Sequence, residues 1–553
     1  MRKIFTTLMT LIIVITCMFT ACQAPAASVD TADHLEIKIY SAGYGTQNVR
    51  DVATRFMELN PGKTISFEEN TDPLIMQSEI KRGPSLNSID LYFAGGDFMP
   101  LVAEGAFTVD GTTYENMFAS LDDVYESAPT GETILIKDKL VKEFSNYYYA
   151  DQETSYFAPW VMDWQGIIYN SKMFENYGWE VPVTTDELIE LCKEIVAFTA
   201  KSTNKNSLGE DIKISPFIYS REDSYWYNVY EEWYIQYEGL EGYKLFKQGK
   251  NAAGEYTPDI KATMGILKAM ELMDTLIGTC YIENGEVKSK PADQIYCDNL
   301  LTFRTYTDTQ ATFLYGEESR INPTGATTAA MLPCGGWLEN EMRANFSEEI
   351  ESGKVGFKCM KTPIISAITD KTSFKGDEKL SALVRWIDGG KQGEKPSFAT
   401  DADVKIVEDA RNVVQVSNNY VCAIPAYSTS IDLAKEFLRF MYSDEGCRIF
   451  MNATKGVDLP VRIDLTGAQI SEFQKSKFAI TSNHNVTPVM IYRTYPIALA
   501  SGEKVFWGPL GQMESKFAVS NTNDYVSPSE LFVANYNDLK NRWQGIMSDA
   551  GLN

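Results

Sequence analysis

Leu35-Glu36-Ile37-Lys38-Ile39-Tyr40 alternates apolar and polar side chains, the period of a β-strand. The turn Ser41-Ala42-Gly43-Tyr44-Gly45 follows, and then Val49, Val52, Ala53 and Phe56 recur at helical spacing until Asn60-Pro61-Gly62 stops the helix. Ile65-Ser66-Phe67 reads as a second strand. A helical stretch around 74–81 leads to a third, Ile89-Asp90-Leu91-Tyr92-Phe93, and to Gly95-Gly96-Asp97. Strands alternating with helices predict a mostly parallel α/β sheet. In such sheets ligands sit beyond the carboxyl ends of the strands, which here means near Tyr44 and Asp97. Gly43-Tyr44-Gly45 stands where a dinucleotide fingerprint would, but position 48 is Asn48 rather than the third glycine. No phosphate-binding GxxxxGK[ST] loop and no HExxH zinc motif occurs, so no cofactor is expected.

Upstream of this unit the chain begins as an export signal. Arg2 and Lys3 precede an apolar stretch from Leu8 to Phe19 that ends in Thr20-Ala21-Cys22. The stretch is shorter than the roughly 20 residues that span a bilayer. Residues 1–21 are therefore expected to be a cleaved signal peptide. The cysteine directly after Thr-Ala resembles a bacterial lipobox, which makes Cys22 the expected lipidated first residue of the mature chain. Residues 22–32, opening with Gln23-Ala24-Pro25-Ala26-Ala27-Ser28, read as a flexible tether.

Composition narrows the function. At 553 residues the chain can hold two to four domains. Its 75 Asp+Glu against 50 Lys+Arg give a net charge of −25, which would repel nucleic acid and anionic lipid. The only histidines are His34 and His484, so a His-based metal site or a Ser-His-Asp enzyme is not expected. Beyond Cys17 and Cys22, seven cysteines remain without CxxC spacing and read as small buried hydrophobes. Aromatic residues reach 12%, high for so polar a chain.

Further along, Pro159-Trp160-Val161-Met162-Asp163-Trp164-Gln165-Gly166-Ile167-Ile168-Tyr169-Asn170 precedes Phe174, Gly178-Trp179-Glu180-Val181-Pro182 and Thr184-Thr185-Asp186-Glu187-Leu188. Thr184 and Glu187 have capping-box spacing. This segment resembles the "P…G..YN…F…G…P.T..EL" signature of bacterial extracellular solute-binding proteins of family 1, the lipid-anchored receptors of carbohydrate ABC importers. Ala329-Ala330-Met331-Leu332-Pro333-Cys334-Gly335-Gly336-Trp337 is similar to the family's "AM…G.W" strand and turn. Asn419–Pro425, Leu433–Met441 and Gly456–Pro460 follow in the family's order.

The resemblance implies a periplasmic-binding-protein-like fold, two α/β lobes joined by hinge crossings around a cleft. Lobe one is expected over 33–160 plus 362–462, and lobe two over 163–358 plus 463–553. The polar stretch 370–408 is the candidate surface insertion. The implied function is capture of a sugar or oligosaccharide and its delivery to ABC permease subunits, without catalysis. The protein would act as a monomer outside the cytoplasm, touching the cell membrane through its lipid only. A secreted carbohydrate-active hydrolase is the competing class, since paired carboxylates with aromatics also suit glycosidic cleavage. A sugar offers apolar C–H faces to aromatic planes and hydroxyls to polar side chains. On that ground the candidate ligand-binding residues are Tyr44, Asp97, Asp163, Trp164, Trp226, Trp337 and Glu339. Asp163 and Trp164 stand at the expected crossing, and Trp337 follows Gly335-Gly336 at a strand end. Trp226 shares a helical face with Tyr230 and Trp233, a stripe that is more often core, and is the one of the three expected to reach the cleft if any does.

Overall fold

A computed structural model describes residues 33–552 except 42, 96–97, 99–100, 103, 142–153, 202, 204, 206–208, 210, 212, 221–224, 299, 302–304, 317–326, 417–419, 456, 458, 464–465, 468–469, 482–486, 490–496 and 498–509. The signal segment, Cys22 with its tether, and Asp97 lie outside the described residues.

The opening unit folds as its periodicity predicts. β1 (His34–Tyr40), α1 (Gln47–Leu59), β2 (Thr64–Asn70), α2 (Pro73–Ile80) and β3 (Leu91–Gly95) follow in order. β1 lies between β2 and β3 and parallel to both, with Ile37 opposite Phe67 and Leu91. Val49, Val52, Ala53 and Phe56 form the buried stripe of α1. Its end is closed by Asn60, whose N–H donates to the carbonyls of Phe56 and Met57. After β4 (Ala158–Pro159) the chain leaves this sheet.

The second lobe begins with β5 (Trp164–Asn170) and α3 (Thr185–Lys201). The Thr184 hydroxyl accepts from the Glu187 N–H at 3.2 Å, while the Glu187 carboxylate accepts from the Val183 N–H at 2.8 Å. This is the expected cap with its return bond shifted by one residue. β6 (Lys213–Ile218), α4 (Trp226–Glu238), β7 (Cys297–Asp298), α5 (Tyr306–Tyr315), β8 (Thr327–Gly335), α6 (Leu338–Glu351) and β9 (Phe357–Met360) come next. α4 runs through the core, burying Trp226, Tyr230 and Trp233, so the aromatic stripe is indeed core. α7 (Asp377–Asp388), α8 (Asp401–Arg411) and β10 (Val413–Val416) follow. β11 (Tyr420–Ala423) and α9 (Ile431–Met441) then return to the first lobe. α10 (Glu472–Thr481), β12 (Thr487–Val489) and α11 (Pro528–Asp549) complete the second lobe.

Among the described residues the first sheet has the order β2-β1-β3-β11-β4, and the second β7-β6-β8-β5-β10-β12, with β9 also paired to β5. The two sheets place one boundary elsewhere than the sequence reading did. The return to lobe one falls between Val416 and Tyr420, not near residue 362. The stretch 370–408 is no surface insertion. Its helices α7 and α8 carry Leu380, Leu383, Val384, Val404 and Val407 on apolar faces buried in the second core. The dense charge on their outer faces makes the segment look polar as a whole. The seven cysteines are buried, and none of them forms a disulfide. No helix among the described residues is long and apolar enough to cross a membrane.

Candidate ligand-binding cleft

The strand ends of the two lobes meet around a cleft of about 660 Å³. Lobe one contributes Tyr40, at the carboxyl end of β1, with Ser41, Gly43, Tyr44 and Gly45 from the following turn, and Tyr420 from the start of β11. Lobe two contributes Gln165, Tyr225, Tyr306, Thr307, Trp337, Asn340 and Glu341. β11 runs antiparallel to β3, so its first residue arrives at the same edge where β1 and β3 end.

The aromatic rings form a continuous wall across the lobes. Tyr44 meets Tyr420 at 5.4 Å, Trp160 at 6.5 Å and Trp337 at 6.3 Å between centroids, each edge to face. Trp337 in turn meets Tyr225 at 5.4 Å, and Tyr420 meets Tyr40 at 6.1 Å. Trp160 stands behind them, its indole N–H donating to the Ala94 carbonyl at 3.0 Å. A direct inter-lobe bond runs from the Asn340 amide to the Gly43 carbonyl.

Trp337 owes its position to the two glycines before it. The Trp337 ring covers Gly335, and the Asp163 carboxylate presses on Gly336, so a Cβ at either position would collide. The Gly336 N–H also donates to the Trp164 carbonyl at 2.9 Å, and its carbonyl accepts from Gln474 Nε2 at 3.0 Å.

Asp163 is fully buried and does not line the cleft. One oxygen accepts from the Trp164 N–H at 2.8 Å and faces Lys477 Nζ at 3.7 Å. Burial pushes its pKa up to about 6, against the pull of the Lys477 charge. Trp164 is likewise buried, its ring lying against Gly166, while its neighbour Gln165 faces the cleft. Both residues support the cleft from behind.

Glu339, a ligand-binding candidate from the sequence, does not line the cleft. It is buried, accepting from Arg343 Nη2 at 2.5 Å and from the Ser471 hydroxyl. Burial raises its pKa despite those partners. The cleft carboxylate is instead Glu341, whose Oε2 accepts from Gln310 Nε2 at 2.7 Å. Trp226 sits behind Tyr225 in the wall of a smaller pocket.

Of the residues selected by sequence, the structure therefore brings Tyr44 and Trp337 together in the cleft. It sets Asp163, Trp164, Trp226 and Glu339 around it, and Asp97 lies outside the described residues. Tyr40, Gln165, Tyr225, Tyr306, Tyr420, Asn340 and Glu341 escaped sequence reasoning. Tyr40 alone carried a signal, as the last residue of a strand whose end points to the ligand side. Among the described residues no group of His, Cys, Asp and Glu could hold a metal ion.

No curated protein sequence matches the chain. Residues 42–269 match the family model described as bacterial extracellular solute-binding protein. Three solved structures share the fold at low identity. The bacterial solute receptor AcbH, described as having an exclusive preference for b-D-galactopyranose, is 11% identical with a TM-score of 0.56, over 93% of this chain and 99% of that one. A probable secreted solute-binding lipoprotein from Streptomyces coelicolor is 15% identical with a TM-score of 0.54, over 92% and 98%. The solute-binding protein RafE in complex with raffinose is 15% identical with a TM-score of 0.50, over 92% and 99%. Residues 42–269 are thus similar to the bacterial extracellular solute-binding proteins, and the fold around them is the two-lobed, periplasmic-binding-protein-like fold of these solved structures.

Proposed function

We propose that the protein is the receptor of a carbohydrate ABC importer, capturing a sugar or short oligosaccharide between its lobes and passing it to permease subunits without chemical change. The carrying observation is the cleft itself. Six aromatic side chains, Tyr40, Tyr44, Tyr225, Tyr306, Trp337 and Tyr420, surround a volume in the usual range for small-ligand sites. Ser41, Gln165, Thr307, Asn340 and Glu341 stand among them. Rings stack on the apolar faces of a pyranose, and amides, hydroxyls and a carboxylate bond its hydroxyls. AcbH and RafE carry galactopyranose and raffinose in their descriptions, and this chain's cleft suits that class.

In this reading Tyr44 and Trp337 stack on ligand from opposite lobes, and Asp97 accepts from a hydroxyl at the end of β3. Asp163, Trp164 and Glu339 hold the supporting turn and helix. A ligand that touches both lobes stabilises the closed arrangement over the open one by its differential affinity. The protein works as a monomer at the outer face of the cell membrane, anchored by lipid on Cys22.

A thermal-shift screen over mono- and oligosaccharides tests the function, with calorimetry on any hit. The expected result is saturable stabilisation by a sugar and no new reducing ends after prolonged incubation with polysaccharides. New reducing ends would move the protein to the hydrolase class. Among the described cleft residues Glu341 is the one carboxylate, whereas glycoside cleavage ordinarily uses two.

A further inference from the structure

A second cavity, of about 470 Å³, lies in lobe two and shares no lining residue with the cleft. That volume falls within the usual span of small-ligand sites. The cavity sits at a break in the sheet beside β5. Lys361 directly follows β9, Asn412 directly precedes β10, and both strands pair with β5. The carboxyl ends of α7 and α8 and one face of α10 line the rest.

Charge in this cavity is uneven. Among the described residues it is lined by three cations, Lys361, Lys391 and Arg411, and two carboxylates, Asp388 and Glu408. Lys391 Nζ pairs with Glu408 at 2.7 Å. Lys361 and Arg411 share Asp388, Lys361 Nζ donating to Oδ1 at 3.0 Å and Arg411 Nη2 to Oδ2 at 2.8 Å. Two cations thus draw on one carboxylate. Glu232, which accepts from the Thr362 hydroxyl at 3.0 Å, adds little negative charge, because burial pushes its pKa up to about 8. The negative ends of the α7 and α8 dipoles temper the surplus. Even so, Lys361 is held below the ordinary lysine range, by burial first and by the Arg411 charge next.

Asn412 brings an amide to the same space. It lines the cavity and is 7% exposed, yet its side chain makes no hydrogen bond among the described residues. The Ser476 hydroxyl, by contrast, is engaged, accepting from the Cys359 N–H at 2.9 Å and donating to the Phe473 carbonyl at 2.6 Å. Ile387, Ala479 and Ile480 give the cavity an apolar side. A surplus cation, an unanswered amide and an apolar wall together suit an anionic acceptor carried on an apolar body.

We propose that this cavity binds a small organic acid, its carboxylate accepting from Lys361 Nζ and the Asn412 amide and its body resting on Ile387, Ala479 and Ile480. The proposal stands apart from the carbohydrate reading, because the two cavities have no residue in common.

Calorimetry on the full mature chain tests this at constant ionic strength in chloride, comparing benzoate with benzamide and hexanoate with hexanamide. At least one acid should bind saturably and at least about tenfold more tightly than its amide, the factor expected for a hydrogen bond to a charged group. Lys361→Met keeps the stem, removes the charge and should erase that preference. Crystals soaked with 4-bromobenzoate should show bromine in the cavity, with the carboxylate between Lys361 and Asn412. Acids that bind no more tightly than their amides, or bromine found only elsewhere, overturn the proposal. So does a preference that survives in Lys361→Met, or sulfate binding as tightly as the acids, which would make this a site for charge alone. Should Lys361→Met fail to fold, the wild-type comparison and the soak decide.

Discussion

Gly43→Ala should open the protein without unfolding it. An ideal Cβ on Gly43 stands 2.5 Å from Glu341 Oε1 and 2.9 Å from both Cδ and Cγ of that side chain. Glu341 is not free to retreat, because its other oxygen accepts from Gln310 Nε2 at 2.7 Å. Either the lobes separate, taking the Asn340–Gly43 bond with them, or Glu341 gives up its partner. Overpacking by one methyl typically costs ~1–3 kcal/mol, and a hydrogen bond to a charged group contributes ~1.5–3 kcal/mol. A loss of about 2 kcal/mol from the closed arrangement lowers its ratio to the open one roughly 30-fold. Small-angle scattering should give a larger radius of gyration than the wild type, and calorimetry a sugar affinity about 30-fold weaker. The melting temperature should barely move, because Gly43 lies in the turn after β1, outside both sheets. Unchanged scattering together with unchanged affinity would refute the claim that this contact belongs to lobe closure.

Other outcomes can be checked separately. Trp337→Ala removes ring pairs with Tyr44 and Tyr225, each worth ~0.5–1.5 kcal/mol beyond area burial. It should weaken sugar binding at least about tenfold while leaving a cooperative, somewhat lowered melt; unchanged affinity would make Trp337 a core residue only. Cys22→Ser should shift the protein from the membrane fraction to the medium on fractionation, and a wild-type protein found wholly in the medium would remove the anchor. Stability should rise as pH falls from 7 to 5, because burial raises the carboxyl pKa values of Asp163 and Asp274 to about 6 and of Glu232 to about 8. In that window the folded chain binds more protons than the unfolded one, whose carboxyls titrate near pH 4, so the gain should be on the order of 5 kcal/mol. Urea titrations at the two pH values measure it, and equal or lower stability at pH 5 contradicts the assignment.

What the sequence displayed, and what it hid, follows from the range of the interactions involved. The alternation in Leu35–Tyr40 and the 3–4 spacing in Val49–Phe56 are local patterns, and each became the element it predicts. Trp337 was legible because its two glycines adjoin it. Tyr420 and Tyr306 were not, since they reach the cleft only when an antiparallel strand and a distant helix deliver their first residues to one edge. The move from Glu339 to Glu341 is a matter of helix phase. Two residues on an α-helix differ by about 200°, so one faces the core and the other the cleft, and the face is decided by what the helix rests on. The misplaced boundary has a similar cause. Leu380, Leu383, Val384 and Ile387 keep helical spacing, but charged residues between them raised the mean polarity that marked the segment as an insertion.

The crossing from Pro159 to Trp164 ties these observations together. Trp160 projects into lobe one, beneath Tyr44 and Tyr420, whereas Asp163 projects into lobe two, beneath Gly336. Four residues therefore support the aromatic wall of both lobes, and a rotation at the crossing moves Tyr44 relative to Trp337. The ion pair of Asp163 with Lys477 is a costly way to fill that space, since desolvating two charges offsets much of their attraction. Its value is positional. The carboxylate sits where a Cβ on Gly336 would stand, which constrains the Gly335-Gly336-Trp337 turn, so the ring proposed to stack on ligand is held in place in advance. A receptor whose stacking platform is already in place loses less conformational entropy on binding. It can then spend the affinity of the second lobe on closing the cleft.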